Sequence, residues 1–173
     1  MNLIAAIDGS VPVTVQARTD VPPARAFVVV VPIDLSLVFK RWGPFPGVSG
    51  AHNQSGPWDA AGQRRNPDLT DGSTALERIT EYTAPHSFAY EITGFTNVLR
   101  RLVEGVRGEW TFTPDGDGTL VRWTYEFKPL PGRAPLVTLG IAPLWRQAMT
   151  QAMARTISVV EKTARDAASA ALT

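Results

Sequence analysis

The sequence predicts an α+β domain in which an antiparallel sheet is covered by one long C-terminal helix. Apolar residues in Pro143–Ala171 recur three and four positions apart, which is the stripe of an amphipathic helix. Glu109–Thr113 and Leu120–Phe127 alternate between apolar and polar residues, as paired strands do. Because a long helix must bury its apolar stripe, we expect this helix to pack on the sheet.

Composition indicates one globular domain over residues 1–173. The chain is 44% hydrophobic and 19% charged, which is ordinary for a protein with a real core. Its 17 basic and 16 acidic residues leave a net charge of +1. Nucleic-acid binding needs a concentrated basic surface, so we expect no nucleic-acid partner.

Several site classes are excluded by the absence of cysteine, among them disulfides, thiolate nucleophiles and cysteine metal sites. Met1–Ser10 lacks the basic start and long apolar core of a signal peptide. The longest apolar run, Ala26–Ile33, is far shorter than the roughly 20 residues of a membrane span. We therefore expect a cytoplasmic protein without stable membrane insertion.

The first elements are a strand and two short helices. Val11–Thr19 alternates and predicts a half-buried strand. Ala24–Ile33 is ambiguous, because its valines favour a strand while the preceding prolines favour the first turn of a helix. Asp34 could cap a second helix over Leu35–Lys40. We place this region as two short helices.

The middle of the chain predicts loops and antiparallel strands. Gly43–Asp59 is rich in turn-forming residues, with room for one strand near Val48–Gln54. Asp71-Gly72 predicts a turn between strands. The other predicted segments are the strands Gln63–Leu69, Ser73–Tyr82 and Pro85–Thr93 and the connecting segment Gly94–Arg107.

The best-defined local structure is the hairpin formed by Glu109–Thr113 and Leu120–Phe127. Asp-Gly pairs in the loop between them supply the positive φ values that tight turns require. Pro129–Gly132 then ends the sheet, and Ala134–Ile141 is a short apolar segment. Pro143 suits the first turn of the final helix, where a missing N–H costs nothing.

A family resemblance spans roughly Val11–Ala168 and rests on the order of several short motifs. These motifs are Val13–Val15, Pro22–Phe27, Asp71–Ser73, Glu77–Thr80, Tyr90–Ile92, Gly108–Pro114, Gly116–Thr119, Val121–Trp123 and the long final helix. In this order and spacing the chain resembles the START-like, Bet v 1-like superfamily (SRPBCC). It is most similar there to bacterial proteins grouped as polyketide cyclase/dehydrase-like.

The resemblance implies a helix-grip fold. In that fold a curved antiparallel sheet of about six or seven strands carries two short helices after strand 1, and a long C-terminal helix closes a cavity. It places Ala24–Ile33 in a helix, and it implies that the cavity often holds an apolar or amphipathic ligand. Two departures, Gly43–Gly62 and Arg100–Arg107, could reshape the cavity entrance.

Aromatic and methionine side chains are the candidate ligand-binding residues, because they share the inner faces of the sheet and the helix. They are Phe88, Tyr90, Trp110, Phe112, Trp123, Tyr125, Trp145, Met149 and Met153. Mostly apolar pockets with a few polar anchors are typical small-molecule sites. The alternative is that these side chains simply fill the space as core.

Four residues are candidates for proton transfer: Glu77, Tyr90, Arg122 and Tyr125. Glu77 shares a strand face with Ile79, and a carboxylate turned into a cavity would have a raised pKa unless a cation reached it. The alternative for Glu77 is a cross-strand ion pair on the surface.

No motif predicts a cofactor or a metal. The two histidines, His52 and His86, are unpaired in sequence, and His86 is expected in a turn. The nucleophile-elbow, dinucleotide-binding and phosphate-loop patterns are absent from the sequence.

Loop residues could form an apolar rim at the cavity mouth that contacts a membrane surface, a protein partner or a second copy of the chain. They are Trp42, Phe45, Trp58, Leu99, Leu102 and Val103. The alternative is that they are tucked under the domain edge. The basic residues Arg100, Arg101 and Arg107 are expected on a solvated loop or strand face.

Three functions therefore remain open. We prefer a binder or carrier of a small hydrophobic molecule such as a lipid or polyketide-like compound. The second hypothesis is a cyclase, aromatase or dehydratase that uses acid/base residues in the pocket. The third is a protein-interaction module with a filled cavity.

Overall fold

The structure, a computed structural model, describes residues 9–171. The expectation for Met1–Ser10 therefore falls largely outside the described residues, as does the end of the domain predicted over 1–173. Within the described part, none of the helices combines the length and apolar content that a membrane span needs.

Seven strands form one antiparallel sheet in the described residues. They are β1 Val11–Thr19, β2 Val48–His52, β3 Arg64–Leu69, β4 Leu76–Thr83, β5 Ser87–Thr93, β6 Val103–Asp115 and β7 Gly118–Pro129. Their order in the sheet is β1-β7-β6-β5-β4-β3-β2, so the first strand lies beside the last. This arrangement confirms the predicted α+β fold class. Bulges in β4 and β6 add local bends.

Two short helices follow β1, as predicted. Helix α1 spans Pro23–Val30 and α2 spans Leu35–Val38. The first ends before Pro32, which has no N–H to continue the helical hydrogen bonds. The side chain of Asp34 caps the second by accepting a hydrogen bond from the Ser36 amide at 2.9 Å. The valines of α1 therefore adopt the helix that the preceding prolines favour, and not the strand that valine itself favours.

The segment Gly94–Arg107 was predicted as a connection, and this prediction is wrong in its second half. A short 3-10 helix spans Val98–Arg101, and the side chain of Asn97 accepts a hydrogen bond from the Leu99 amide at its start. Strand β6 then begins at Val103 and pairs with β7 through a bulge. The bulge interrupts the alternation of side chains, which hides the start of this strand from a pattern of period two.

Pro143 lies in the first turn of the long final helix, as predicted, but helical structure precedes that helix. Helical structure begins nine residues before Pro143, with α3 at Ala134–Leu136 and a π-helical turn at Val137–Ile141. The long helix α4 continues over Ala142–Ala170. Proline has no N–H and clashes with the carbonyl four residues earlier, and a wider turn accommodates that clash. Pro143 therefore lies inside a longer helical segment.

The remaining differences are shifts of element ends. Strands β3, β4 and β5 begin one to three residues later than predicted, β2 ends at His52, and β7 extends beyond both predicted ends. Ends are the least regular part of an element, since fraying and turn chemistry compete there.

Helix α4 buries its apolar stripe against β1 and the two short helices. The buried residues of the stripe include Met149, Ala152, Met153 and Val160. The Thr156 hydroxyl, also buried, donates to the carbonyl of Ala152 at 2.9 Å, so its polar atom is satisfied within the helix. The hydrophobic core lies between the helices and the inner face of the sheet.

The outer face of the sheet carries an ion-pair network that corrects the expectation for Arg107. The Arg107 side chain is 9% exposed and lies 2.6 Å from Glu109 and 3.4 Å from Glu126. It is therefore held within the sheet surface by opposite charges and is not solvated. Arg100 and Arg101 are exposed, as expected.

Replacing Met149 with alanine tests the core assignment, because this side chain is fully buried. We expect a loss of about 2–5 kcal/mol in the free energy of unfolding from lost contacts and a residual cavity. Urea unfolding followed by tryptophan fluorescence measures it. The exposed Gln147→Ala on the same helix is the matched control, expected within about 0.5 kcal/mol of the parent. Equal stabilities would contradict the assignment.

Candidate functional site

A cavity of about 130 Å³ lies between the inner face of the sheet and the helices. One side is formed by residues 30–39, which include the end of α1 and all of α2, and by the loop that precedes β2. The other side is formed by strands β3 to β7, and Trp145 and Thr156 of α4 complete the lining. Most of the wall is aliphatic or aromatic, so the space favours apolar molecules.

Five of the nine predicted ligand-binding residues line this cavity: Phe88, Tyr90, Trp110, Tyr125 and Trp145. The first four come from β5, β6 and β7, and Trp145 comes from α4. The Tyr125 and Trp145 rings lie 4.9 Å apart, so the sheet and the helix meet at this end of the cavity.

The other four predicted residues are buried but are not part of the wall. Met149 and Met153 face the core beneath α4. Phe112 packs edge-on against Phe27 of α1, with ring centroids 5.3 Å apart. Trp123 stacks against a wall residue, Trp110, at 4.8 Å. Phe112 and Trp123 therefore lie behind the wall, next to its aromatic residues Phe88 and Trp110.

Tyr90 owes its position to Gly108, its partner across β5 and β6. A Cβ atom at Gly108 would lie 2.1 Å from the Tyr90 ring, so the tyrosine lies flat over bare backbone. There its hydroxyl accepts a hydrogen bond from Nε1 of Trp123 at 3.0 Å. The absence of a side chain at Gly108 therefore leaves the room that the Tyr90 ring occupies in the cavity wall.

A buried ion pair forms the polar part of the wall. Arg65 and Glu77 face each other across β3 and β4, and Nε of Arg65 donates to Oε2 of Glu77 at 2.6 Å. Their side chains are 7% and 5% exposed. The guanidinium also lies 4.0 Å from the ring centroid of Trp58, a cation–π contact. Glu77 thus lies in the cavity wall, and the cation that pairs with it is Arg65.

The two tyrosine hydroxyls are held in the protonated state. Burial raises the pKa of Tyr90 far above its ordinary value, and the negative charge of Glu77 adds to the shift. Burial likewise raises the pKa of Tyr125, with smaller contributions from Tyr90 and Glu77. At neutral pH both groups are available as hydrogen-bond donors and not as bases.

Arg122, the fourth catalytic candidate, does not belong to this site. It is exposed on the outer face, because it alternates along β7 with the buried Val121 and Trp123. The period of two that places Tyr125 in the wall therefore turns Arg122 away from it.

The histidines take no part in the cavity wall. His52 Nδ1 lies 2.7 Å from Asp68 on the exposed β2–β3 hairpin, and His86 lies in the turn before β5. Among residues 9–171 there is no group of three or more His, Asp or Glu side chains placed to hold a metal ion.

The predicted apolar rim is mostly inside the molecule. Phe45, Trp58 and Leu99 line the cavity. Val103 is buried, while Trp42 and Leu102 are half-buried. The alternative of residues tucked under the domain edge therefore describes this set better than an exposed rim.

Arg65 was missed from the sequence, and Trp58 was considered only for the rim. The observed pairing of Arg65 with Glu77 is centred on Asp71, whereas a hairpin symmetric about the predicted Asp71-Gly72 turn would pair Arg65 with Arg78. This offset of one residue hides the pair, because residues directly opposite each other share a face. Trp58 adopts a left-handed φ of 67° within an irregular loop, and no periodic pattern indicates such a position.

The close approach at Gly108 can be tested with Gly108→Ala. The added methyl would displace the Tyr90 ring and break its hydrogen bond with Trp123, costing about 1–3 kcal/mol by overpacking. Urea unfolding measures the loss. Gly50→Ala is the matched control, since a Cβ there meets nothing within 4 Å. Identical effects of the two substitutions would rule out the proposed role of Gly108.

The ion pair predicts strong non-additivity. Glu77→Leu alone should lower the free energy of unfolding by about 3–5 kcal/mol, because it leaves Arg65 buried and unpaired. The double variant Arg65→Met/Glu77→Leu should recover most of that loss. A double-mutant cycle in urea measures the coupling. As a control, Lys162→Met removes an exposed pair with Asp166 and should cost less than about 1 kcal/mol. Additive single effects would contradict the buried pair.

Several solved structures have a similar fold. The crystal structure of Ara h 8.0201 matches with a TM-score of 0.62 at 17% identity, covering 88% of this chain and 99% of that chain. XoxI from Bacillus cereus matches at 0.62 and 11% identity, covering 86% and 94%. An uncharacterized protein from Bacillus thuringiensis matches at 0.57 and 12% identity, covering 83% and 96%. At such identities the likeness shows the fold alone.

No curated protein matches the sequence. A family model does, however, and it is described as polyketide cyclase / dehydrase and lipid transport. The match covers residues 10–161, from the start of β1 into the second half of α4. It includes every strand of the sheet and every described residue of the cavity wall. The chain therefore belongs to the polyketide cyclase / dehydrase and lipid transport family, within the START-like, Bet v 1-like superfamily.

Proposed function

We propose that the protein binds a small, mostly apolar molecule in the cavity between the sheet and the helices, and that the whole chain acts as one ligand-binding domain. The observation that carries the proposal is the unfilled, mostly apolar space itself, about 130 Å³ lined by aromatic and aliphatic side chains. Close-packed interiors contain few voids larger than a water molecule, so a space of this size is a specific feature of the fold.

The volume sets the size of the ligand. Apolar cavities near 150 Å³ stay dry and admit benzene or xenon, whereas pockets for drug-sized ligands measure about 300–1,000 Å³. A space of about 130 Å³ fits a molecule of one small ring. We therefore propose a compact ring compound as the ligand and not a long acyl chain or a polycyclic polyketide.

Binding is favoured over the cyclase, aromatase or dehydratase alternative by the state of the polar groups. Tyrosine is already protonated at neutral pH, and burial raises the pKa of Tyr90 and Tyr125 further, so neither hydroxyl is a base there. One oxygen of Glu77 is already occupied by Arg65. These groups are arranged to hold a molecule, and the geometry gives no further support to proton transfer.

If the protein were a protein-interaction module, as the third hypothesis states, its cavity would be filled by side chains. The described residues leave this cavity unfilled. Open space beside buried aromatic rings forfeits contacts that a ligand would restore. This argument again favours a small-molecule ligand over a protein partner.

Filling the cavity should abolish binding. Ala75 is buried in the wall, and Ala75→Leu adds three carbon atoms that occupy part of the space. Toluene serves as the probe, with its dissociation constant taken from saturable shifts of indole N–H signals in NMR titrations. We expect at least tenfold weaker binding in the variant.

The matched control is Ala168→Leu, the same change at an exposed position near the end of α4. It should leave the dissociation constant for toluene unchanged. The proposal fails if the parent protein shows no saturable binding, or if both variants bind toluene as the parent does.

A further inference from the structure

The polar groups of the cavity wall lie among strands β3, β4, β5 and β7. Arg65, Glu77, Tyr90 and Tyr125 all line the space, and each is buried. Glu77 accepts a hydrogen bond from Arg65, and its partner on β5, Ile92, is two residues from Tyr90. Tyr90 and Tyr125 in turn flank Gly108 from the two neighbouring strands. The cavity therefore has one polar region within an otherwise apolar wall.

This polar region has more hydrogen-bond donors than acceptors. Arg65 uses Nε for Glu77, and its two terminal nitrogens form no hydrogen bond with any described residue. The described side-chain atoms that are fully buried and unpartnered are Thr80 Oγ1 and Trp145 Nε1, so the terminal nitrogens of Arg65 are not sealed off from the space. An acceptor on a ligand can therefore pair with these nitrogens, and a hydrogen bond from a charged donor is stronger than a neutral one.

The charge of the region favours a neutral acceptor over a carboxylate. The Arg65 cation is already balanced by Glu77 at 2.6 Å. A second carboxylate beside the guanidinium would add an unbalanced negative charge to a buried space and would approach Glu77. A carbonyl oxygen accepts from the same N–H groups without that cost.

From these observations we propose that the ligand is a neutral single-ring compound that carries a carbonyl oxygen, which accepts hydrogen bonds from the terminal nitrogens of Arg65. The ring lies against the apolar wall, and the oxygen lies in the polar region. The inference rests on the proposed function, since it names the ligand class of the same cavity. Glu77 positions the guanidinium, and Trp58 fixes its plane by stacking.

Three probes of similar size test the assignment: acetophenone, ethylbenzene and benzoate, which present a ketone, a hydrocarbon and a carboxylate on one ring. Dissociation constants are measured by NMR titration at pH 7. We expect acetophenone to bind at least about tenfold more tightly than ethylbenzene, because a hydrogen bond from a charged donor is worth that much. Benzoate should bind more weakly than acetophenone.

Arg65→Met/Glu77→Leu removes the ion pair while keeping the wall filled, and it should bring acetophenone and ethylbenzene to equal affinity. The matched control is Arg78→Met, the same change one residue from Glu77 but on the outer face, where Arg78 pairs with Glu91. It should preserve the preference for the ketone. Infrared spectra of acetophenone bound to the parent protein give a second readout that needs no variant, with the carbonyl stretch expected at lower frequency than in hexane.

The outcomes separate the two levels of the proposal. Equal affinities for acetophenone and ethylbenzene in the parent protein, or an unshifted carbonyl stretch, would overturn the acceptor assignment while leaving apolar binding intact. If benzoate bound most tightly of the three probes, the inference that the ligand is neutral would be overturned. A ketone preference that survives in the double variant would overturn the role of Arg65. Failure of all three probes to bind would overturn the proposed function itself.

Discussion

The inner face of the sheet is wider than one helix can cover, and the rest of the structure depends on this mismatch. Seven strands at a spacing of about 4.8 Å span roughly 29 Å, whereas a helix with its side chains is about 10–12 Å across. Helix α4 packs along β1 at one edge and against α1 and α2. The short helices and the loop before β2 cover the remainder incompletely. The cavity is the space that this cover leaves open.

The same mismatch explains why a charged pair lies in the wall. Arg65 and Glu77 belong to β3 and β4, strands far from the α4 edge. A buried ion pair is weak evidence for stability, because desolvation offsets most of its Coulomb energy. Well-packed apolar residues would serve the core as well or better. The pair is more readily understood as a means of selecting a ligand, since it gives an apolar space one region of defined polarity.

Much of the fold could be predicted because two periodicities run clearly through the sequence. The alternation in β1 and β7 and the helical stripe of α4 specify both the elements and their buried faces. The start of β6 and the start of the helical segment before α4 could not be predicted in the same way. A bulge shifts the strand pattern at Val103, and a π-helical turn accommodates Pro143. Both are local irregularities that a regular pattern does not encode.

The candidate site was only partly predictable for a different physical reason. Tyr90, Trp110 and Trp123 share one face of the sheet, but the pattern of period two identifies the face without separating the wall from the layer behind it. Which of these side chains lines the cavity depends on where the helices and the loop before β2 leave the sheet uncovered, and that is a property of tertiary packing. Arg65 could not be placed by symmetry, because its hairpin is offset by one residue from the predicted Asp71-Gly72 turn, and the position of Trp58 depends on an irregular loop.

The central claim is that the sheet and helices leave an unfilled, mostly apolar space between them that a small apolar molecule can enter. A crystal of the protein pressurised with xenon tests this claim most directly, because xenon enters apolar cavities of this size. The account predicts a strong xenon peak inside the cavity, in contact with Trp110, Tyr125 and Trp145. Electron density filled by repacked side chains, with no xenon between the sheet and α4, would contradict it.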